Sequence, residues 1–187
     1  MYPRWRYLID NVVSPIKSVL CHGQIHIPTR WDEDGKPCQS AAEDAASGMF
    51  ELGNNGVLAQ FTTSWVTRPY RDEIGEWQLD GTEGSAIAGL RDCRAQSRAN
   101  TPVPVWNPDI PNPIDVRAGW LEVPDNEVFD NAFHAQWQMF LRLVYEDAPF
   151  SWDLLEGAKG VQLAELAQQS SRERRWIDVP DLTREPA

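Results

Sequence analysis

The stretch MFELGNNGVLAQFTTSWVT, Met49 to Thr67, decides the fold. Two extended runs, residues 49–52 and 57–66, flank Gly53-Asn54-Asn55-Gly56. Residues that tolerate positive φ, set between β-rich runs, predict a hairpin. In the second run Val57, Ala59, Phe61, Thr63 and Trp65 point one way, and Leu58, Gln60, Thr62, Ser64 and Val66 the other. The first face is mostly apolar and is expected to be covered. The second is small and polar, suited to water, a ligand or another subunit. The hairpin is therefore expected in the middle of a sheet.

Upstream, Trp5, Leu8, Ile9 and Val12 share one face of a predicted helix over residues 5–13, which Ser14-Pro15 stops. Residues 16–27 alternate as a strand, with Ile16, Ser18, Leu20, His22, Gln24 and His26 on one face. Residues 28–41 read as a polar loop carrying Arg30 and Trp31. Downstream, strands are predicted over 73–80, 85–90 and 91–97, with a turn at Gly81-Thr82-Glu83-Gly84. Residues 100–113 hold five prolines and read as an irregular connection pinned by Val103, Val105 and Trp106. Phe129, Phe133, Trp137, Leu141 and Tyr145 repeat every four residues, so residues 126–147 read as a helix. Ser151 or Asp153 caps a last helix to about Ser170, and a short strand closes the chain at 177–179. Hairpin-linked strands followed by helices argue α+β: an open, mainly antiparallel sheet with helices packed on one face.

Composition bounds the function. At 187 residues the chain is expected to be one ordinary domain. A net charge of −11, spread along the chain, repels phosphate backbones and argues against nucleic acid. No apolar run approaches the ~20 residues a membrane helix needs. The opening MYPRWRYLID lacks a signal-peptide core, so the cytoplasm is the expected compartment. Cys21, Cys38 and Cys93 are far apart, which suits unbridged thiols and neither a disulfide framework nor a zinc site. His22, His26 and His134 form no metal pattern. There is no G-x-G-x-x-G, P-loop or G-x-S-x-G.

Two clusters could bind a ligand. Trp65, Arg68, Tyr70 and Arg71 gather where a strand leaves the sheet; they read either as a solvated strand end or as the rim of a pocket for a hydroxylated or carboxylated ligand. Arg4, Arg6, Tyr7 and Asp10 lie within two turns of the first helix, with Arg6 and Asp10 at i,i+4.

The whole chain resembles the C-terminal domain of the glucose–fructose oxidoreductase / inositol dehydrogenase / MocA family. The opening MYPRWRYLIDN resembles the helix after that family's interdomain glycine-rich segment. Ile16-Lys17-Ser18-Val19 is similar to its first sheet strand, and the Glu51–Gln60 stretch to its central hairpin. Gly81–Ala86 is similar to its turn, the run Asp153 to Ser171 to its closing helix, and Trp176–Pro180 to its last strand. The resemblance implies an NAD(P)-dependent oxidoreductase of sugars, polyols or related hydroxy compounds. Its N-terminal Rossmann half binds the dinucleotide and carries a Glu-Lys-Pro lysine; its C-terminal sheet covers substrate and forms subunit contacts. Neither the phosphate-binding glycines nor Glu-Lys-Pro occurs in this sequence, so no cofactor is expected on this chain, while NAD or NADP is implied for a full-length relative.

The family's Asp-x-x-x-His places its histidine at Arg4, which stays protonated and cannot act as a general base near neutral pH. No catalytic residue is therefore expected here. Arg4, Arg6, Asp10, Arg30, Trp31, Trp65, Arg68 and Arg71 are the expected substrate-binding residues. The chain reads as the substrate-binding and oligomerisation half of such an enzyme, inactive without a Rossmann half as partner. The alternative is a standalone domain kept for ligand binding or assembly. Homo-oligomer contacts are expected through the small-polar sheet face. An unrelated enzyme with its own site has no supporting constellation.

Overall fold

A computed structural model describes residues 2–53, 56–70, 73–103, 107–111, 114–125 and 131–183, with side chains from residue 5 onward. In chain order the elements are α1 (Tyr2–Val12), β1 (Ile16–Gln24), β2 (Thr29–Trp31), β3 (Pro37–Gln39), β4 (Ala45–Leu52) and β5 (Val57–Ser64). Then come β6 (Trp77–Gly81), β7 (Gly84–Ala88), β8 (Cys93–Ser97), β9 (Leu121–Glu122), α2 (Ala132–Glu146), α3 (Leu154–Glu173) and β10 (Ile177–Asp178). A single 3₁₀ turn, Arg98–Asn100, follows β8. The chain is α+β, as expected, and every strand pair is antiparallel. The residues divide into two compact units, one of 1–68 with 140–187 and one of 69–139.

The first unit holds the sheet ordered β10-β1-β4-β5 and the small hairpin β2-β3. β4 is interior and β5 ends the order, so half of the predicted hairpin is central and half is an edge. Asn54 and Asn55 of its turn lie outside the described residues, but Gly53 and Gly56 both take positive φ, 56° and 66°. That is the backbone the turn residues predict.

The core lies on one face of this sheet. Val19 and Cys21 of β1, Phe50 and Leu52 of β4 and Phe61 of β5 meet Ile9 of α1 and Leu163 and Ala167 of α3. The Phe50 and Phe61 rings stack at 4.6 Å, and Trp5 leans on Phe61 at 6.0 Å. Burying an aromatic side chain of this size is worth about 1.5–3 kcal/mol, so this cluster is what holds α1 and α3 to the sheet. Trp65, predicted on the covered face, lies past the end of β5 and is 71% exposed. Ile16 also departs from the alternation. A register shift between Ile16 and Ser18 turns it into the core with Val19.

Neither α1 nor α3 reaches the opposite face. There the strands form cross-strand rows: Leu20, Met49 and Gln60; His22, Ser47 and Thr62; Gln24, Ala45 and Ser64.

Asp153 caps α3, its Oδ1 accepting the backbone N–H groups of Leu155 and Glu156 at 2.9 and 3.0 Å. At the other end Arg174 takes the left-handed conformation and its N–H closes on Ser170 O. Only one stripe of α3 is buried: Gly160, Leu163, Ala167 and Ser170. Leu154 and Val161 stay exposed.

The loop expected over 28–41 contains β2 and β3. Arg30 opposes Cys38 in their register, and Asp32 Oδ1 accepts the N–H groups of Asp34 and Lys36 across the turn. The second unit carries the meander β6-β7-β8-β9. Gln96, buried in β8, ties the 115–120 segment down by donating Nε2 to Ala118 O at 2.8 Å. Val103, expected to pin the proline-rich connection, is 81% exposed; Val105 and Trp106 lie outside the described residues. α2 begins at Ala132, and no residue described on it is buried. The predicted residues 126–130 lie outside the described set.

Candidate functional site

Two open grooves, both within the first unit, collect polar side chains. The first, of about 550 Å³, lies at the end of the uncovered sheet face. His22 and Gln24 of β1, Ser47 of β4, Thr62 and Ser64 of β5, and Arg68 beyond it line this groove. Asp44 fixes its shape from beneath. This carboxylate is buried, and it accepts the backbone N–H of His26 at 2.9 Å and of Ile27 at 2.9 Å. Arg30 Nη2 adds a third bond at 3.2 Å. Asp44 also donates its own N–H to Gln24 O and accepts from Trp65 N. One residue therefore joins the end of β1, the β2-β3 hairpin, the start of β4 and the chain leaving β5. The His26 amide, more than any other partner, holds the Asp44 carboxyl below its ordinary range, with the Ile27 amide and the charges of His26 and Arg30 adding to it.

The second groove, of about 540 Å³, lies along the C-terminal half of α1, the start of α3 and residues 181–183. Arg6 is 5% exposed, and its Nε donates to Asp10 Oδ2 at 2.6 Å. The other oxygen of Asp10 accepts the Ile16 N–H at 3.1 Å, so the pair is fixed to the turn between α1 and β1. Lys159 and Glu156 form a second pair on α3. Trp152 meets the Tyr7 ring edge-on at 5.9 Å, and the Tyr7 hydroxyl donates to Glu156 O at 3.3 Å.

The predicted residues thus separate. Arg6 and Asp10 come together in the α1 groove, and Arg68 lines the sheet-end groove. Arg30 is tied to Asp44, while Trp31 projects from β2 at 68% exposure. Trp65 lines neither groove. Arg4 lies in α1, but its side chain, like the whole of Arg71, is outside the described residues. Trp152, Glu156 and Lys159 were not predicted. They lie over 140 residues from Arg6, and only the packing of α3 beside α1 brings them near. Among the described residues no cluster of metal-ligating side chains occurs, and no helix is long and apolar enough to cross a membrane.

No protein-family model matches the chain. It is 50% identical over 186 residues, 98% of its own length, to D-xylose dehydrogenase of Paenarthrobacter nicotinovorans. It spans 48% of that relative, about half its length. Levoglucosan dehydrogenase in complex with NADH and L-sorbose shares the fold at a TM-score of 0.74 and 15% identity, over 96% of this chain and 50% of that one. An oxidoreductase domain protein from Kribbella flavida matches at 0.72 and 14%, over 96% and 48%. About half of each of these three proteins is matched. Over almost its whole length the chain is thus similar to about half of such oxidoreductases, consistent with the C-terminal domain of the glucose–fructose oxidoreductase / inositol dehydrogenase / MocA family.

Proposed function

We infer that this chain is the substrate-side half of an NAD(P)-dependent dehydrogenase acting on a sugar or polyol in the cytoplasm. The observation that carries this reading is its 50% identity, over 98% of its length, to a D-xylose dehydrogenase of which it spans about half. Oxidation of a carbinol removes a hydride from carbon and a proton from oxygen. The nicotinamide supplies the hydride acceptor when bound, and the residues that would bind it belong to a dinucleotide-binding half. The share of this chain is to bind and orient the hydroxylated substrate and to shield it from water. Arg4 can hold a substrate oxygen as a donor but keeps its own protons, so the proton leaves to a group outside this chain.

The uncovered sheet face fits the subunit contact. Its His22, Ser47 and Thr62 row is small and polar, with the Ser47 and Thr62 hydroxyls 3.3 Å apart. A two-fold contact needs a self-complementary patch, and rows of small residues let two sheets approach closely.

Joining the chain to the N-terminal half of the D-xylose dehydrogenase relative tests the reading. Reduction of NAD or NADP in the presence of D-xylose is expected from the fusion and from neither half alone. A folded fusion that binds the dinucleotide yet oxidises no pentose, hexose or polyol would sink it.

A further inference from the structure

We propose that the groove at the end of the uncovered sheet face is an oxyanion site that takes a phosphate group, carried by a small molecule or free in solution, with Arg68, Ser47 and Thr62 as its contacts. Its shape follows from the register. Strand β4 lays the small residues Ala45 and Ser47 between the longer His22 and Gln24 of β1 and the hydroxyl-bearing Thr62 and Ser64 of β5. Arg68, beyond the end of β5, completes the lining. Donors are available there. The Ser47 and Thr62 hydroxyls stand 3.3 Å apart, so one proton serves the bond between them and the other is left to donate. Ser64 Oγ accepts the Val66 N–H at 3.1 Å and keeps its own proton for a ligand.

Charge selects the ligand class. The chain carries 28 Asp and Glu against 17 Lys and Arg, yet no carboxylate lines this groove. Asp44, which shapes it from beneath, is buried and already met by two backbone N–H groups and by Arg30. Arg30 is thereby spent, whereas Arg68 has no ion-pair partner among the described residues. A cation finds no counter-charge in such a groove, and a neutral ligand leaves the guanidinium unmatched. An oxyanion gains charge-assisted bonds from it. The guanidinium fork takes two oxygens of a phosphate, and the tetrahedron turns its remaining oxygens towards the hydroxyls of β4 and β5. A planar carboxylate on the same fork has both oxygens taken. At about 550 Å³ the groove has room for the rest of a small phosphorylated molecule. The site stands apart from the dehydrogenase reading, which requires no phosphate on this chain.

The test is a titration of the 187-residue chain with inorganic phosphate, glycerol phosphate and sulfate at constant ionic strength, followed by amide NMR. Acetate and D-xylose serve as comparisons. Ser47 and Thr62 also belong to the row assigned to the subunit contact, so the chain is used in the assembly it forms, with light scattering alongside. Saturable shifts at Ser47, Thr62 and Arg68 are expected with the tetrahedral oxyanions and with neither comparison. Tighter binding of glycerol phosphate than of inorganic phosphate assigns the group to a larger molecule, and the reverse assigns it to the free ion. Arg68→Ala, at an exposed position, is expected to weaken binding about tenfold, with Arg68→Lys falling between it and the parent. Arg94→Ala removes the same charge from the second unit and is expected to leave the affinity unchanged. No saturation by any tetrahedral oxyanion, equal weakening by Arg68→Ala and Arg94→Ala, or the same shifts from acetate or D-xylose would each overturn the proposal.

Discussion

The hydroxyl of Ser170, on α3, accepts the backbone N–H of Cys21 in β1 at 2.9 Å. It also donates to Arg175 O at 2.7 Å, and Ser171 beside it accepts the N–H of Gly23 at 3.0 Å. The short β10 pairs with β1 only at Ser18 and Val19, so beyond that point β1 has an open edge. Two consecutive serines take the place of the missing strand. Bare strand edges invite foreign pairing, and here a helix terminus covers one.

Ser170→Ala should therefore be costly. It removes the hydroxyl that accepts from the Cys21 N–H and donates to Arg175 O, at about 1–3 kcal/mol. For a chain of this size that is a fall in Tm of roughly 2–12 °C. Ser171→Ala, at a half-buried position with one bond, should cost less. Thermal unfolding followed by circular dichroism ranks the two; equal losses would mean that the Ser170 bonds add nothing.

Asp44 gives the chain a pH dependence with a definite sign. Its folded carboxyl sits below the ordinary value of 3.8, chiefly because the His26 amide bonds the charged form. The stabilisation is fully present above the unfolded pKa and is lost as pH falls through the folded one. Unfolding midpoints in urea should hardly move from neutral pH to about 5 on this account, and then drop on further acidification. Asp44→Asn keeps one acceptor oxygen but loses the charge. It should lower the midpoint at neutral pH and flatten the acid limb. An unchanged acid limb in Asp44→Asn would assign the acid sensitivity to other carboxylates.

How much of this was legible depends on whether a signal is local. Gly53 to Gly56, with alternation on both sides, marks the β4-β5 hairpin because turn and strands specify each other within a few residues. The β2-β3 hairpin escaped because three-residue strands are too short to show alternation, although Asp32-Glu33-Asp34-Gly35 is a turn signal in plain view. The α1 pair Arg6 and Asp10 follows from i,i+4 spacing. Trp152 and Lys159 could not be placed beside it, because helix-on-helix packing across the whole chain decides that proximity. The stripe of α2 is equally clear in the sequence, yet Phe133, Leu141 and Tyr145 are exposed. Periodicity shows that a face is apolar and says nothing of what covers it.

Assembly through the sheet face is tested by charge. Thr62 is exposed on β5, in the row with Ser47 and His22. Thr62→Lys would put a cation against its own copy across a two-fold axis. Its position is solvated in the monomer, so folding should be little affected. Light scattering after size exclusion is expected to give a dimer or larger for the parent and a monomer for Thr62→Lys. A parent that stays monomeric at micromolar concentration removes this interface.

Gly48 and Gly157 should respond to alanine in opposite directions. Gly48 lies in β4 opposite Cys21, and a Cβ there would meet Leu20 O at 2.2 Å and Phe61 Cε1 at 2.9 Å. The carbonyl belongs to the central pair of strands and cannot step aside without breaking the ladder, while Phe61 is stacked on Phe50. Gly48→Ala should cost about 3 kcal/mol or more, enough to reduce the soluble yield. Gly157 is in the first turn of α3 with nothing within 4 Å of its added Cβ and no positive φ. Gly157→Ala should raise stability by about 0.5–1 kcal/mol, since alanine restricts the unfolded chain and favours the helix. If Gly48→Ala melts at the parent temperature, β1 and β4 do not approach as closely as the 2.2 Å contact requires, and the register Cys21 to Gly48 is wrong.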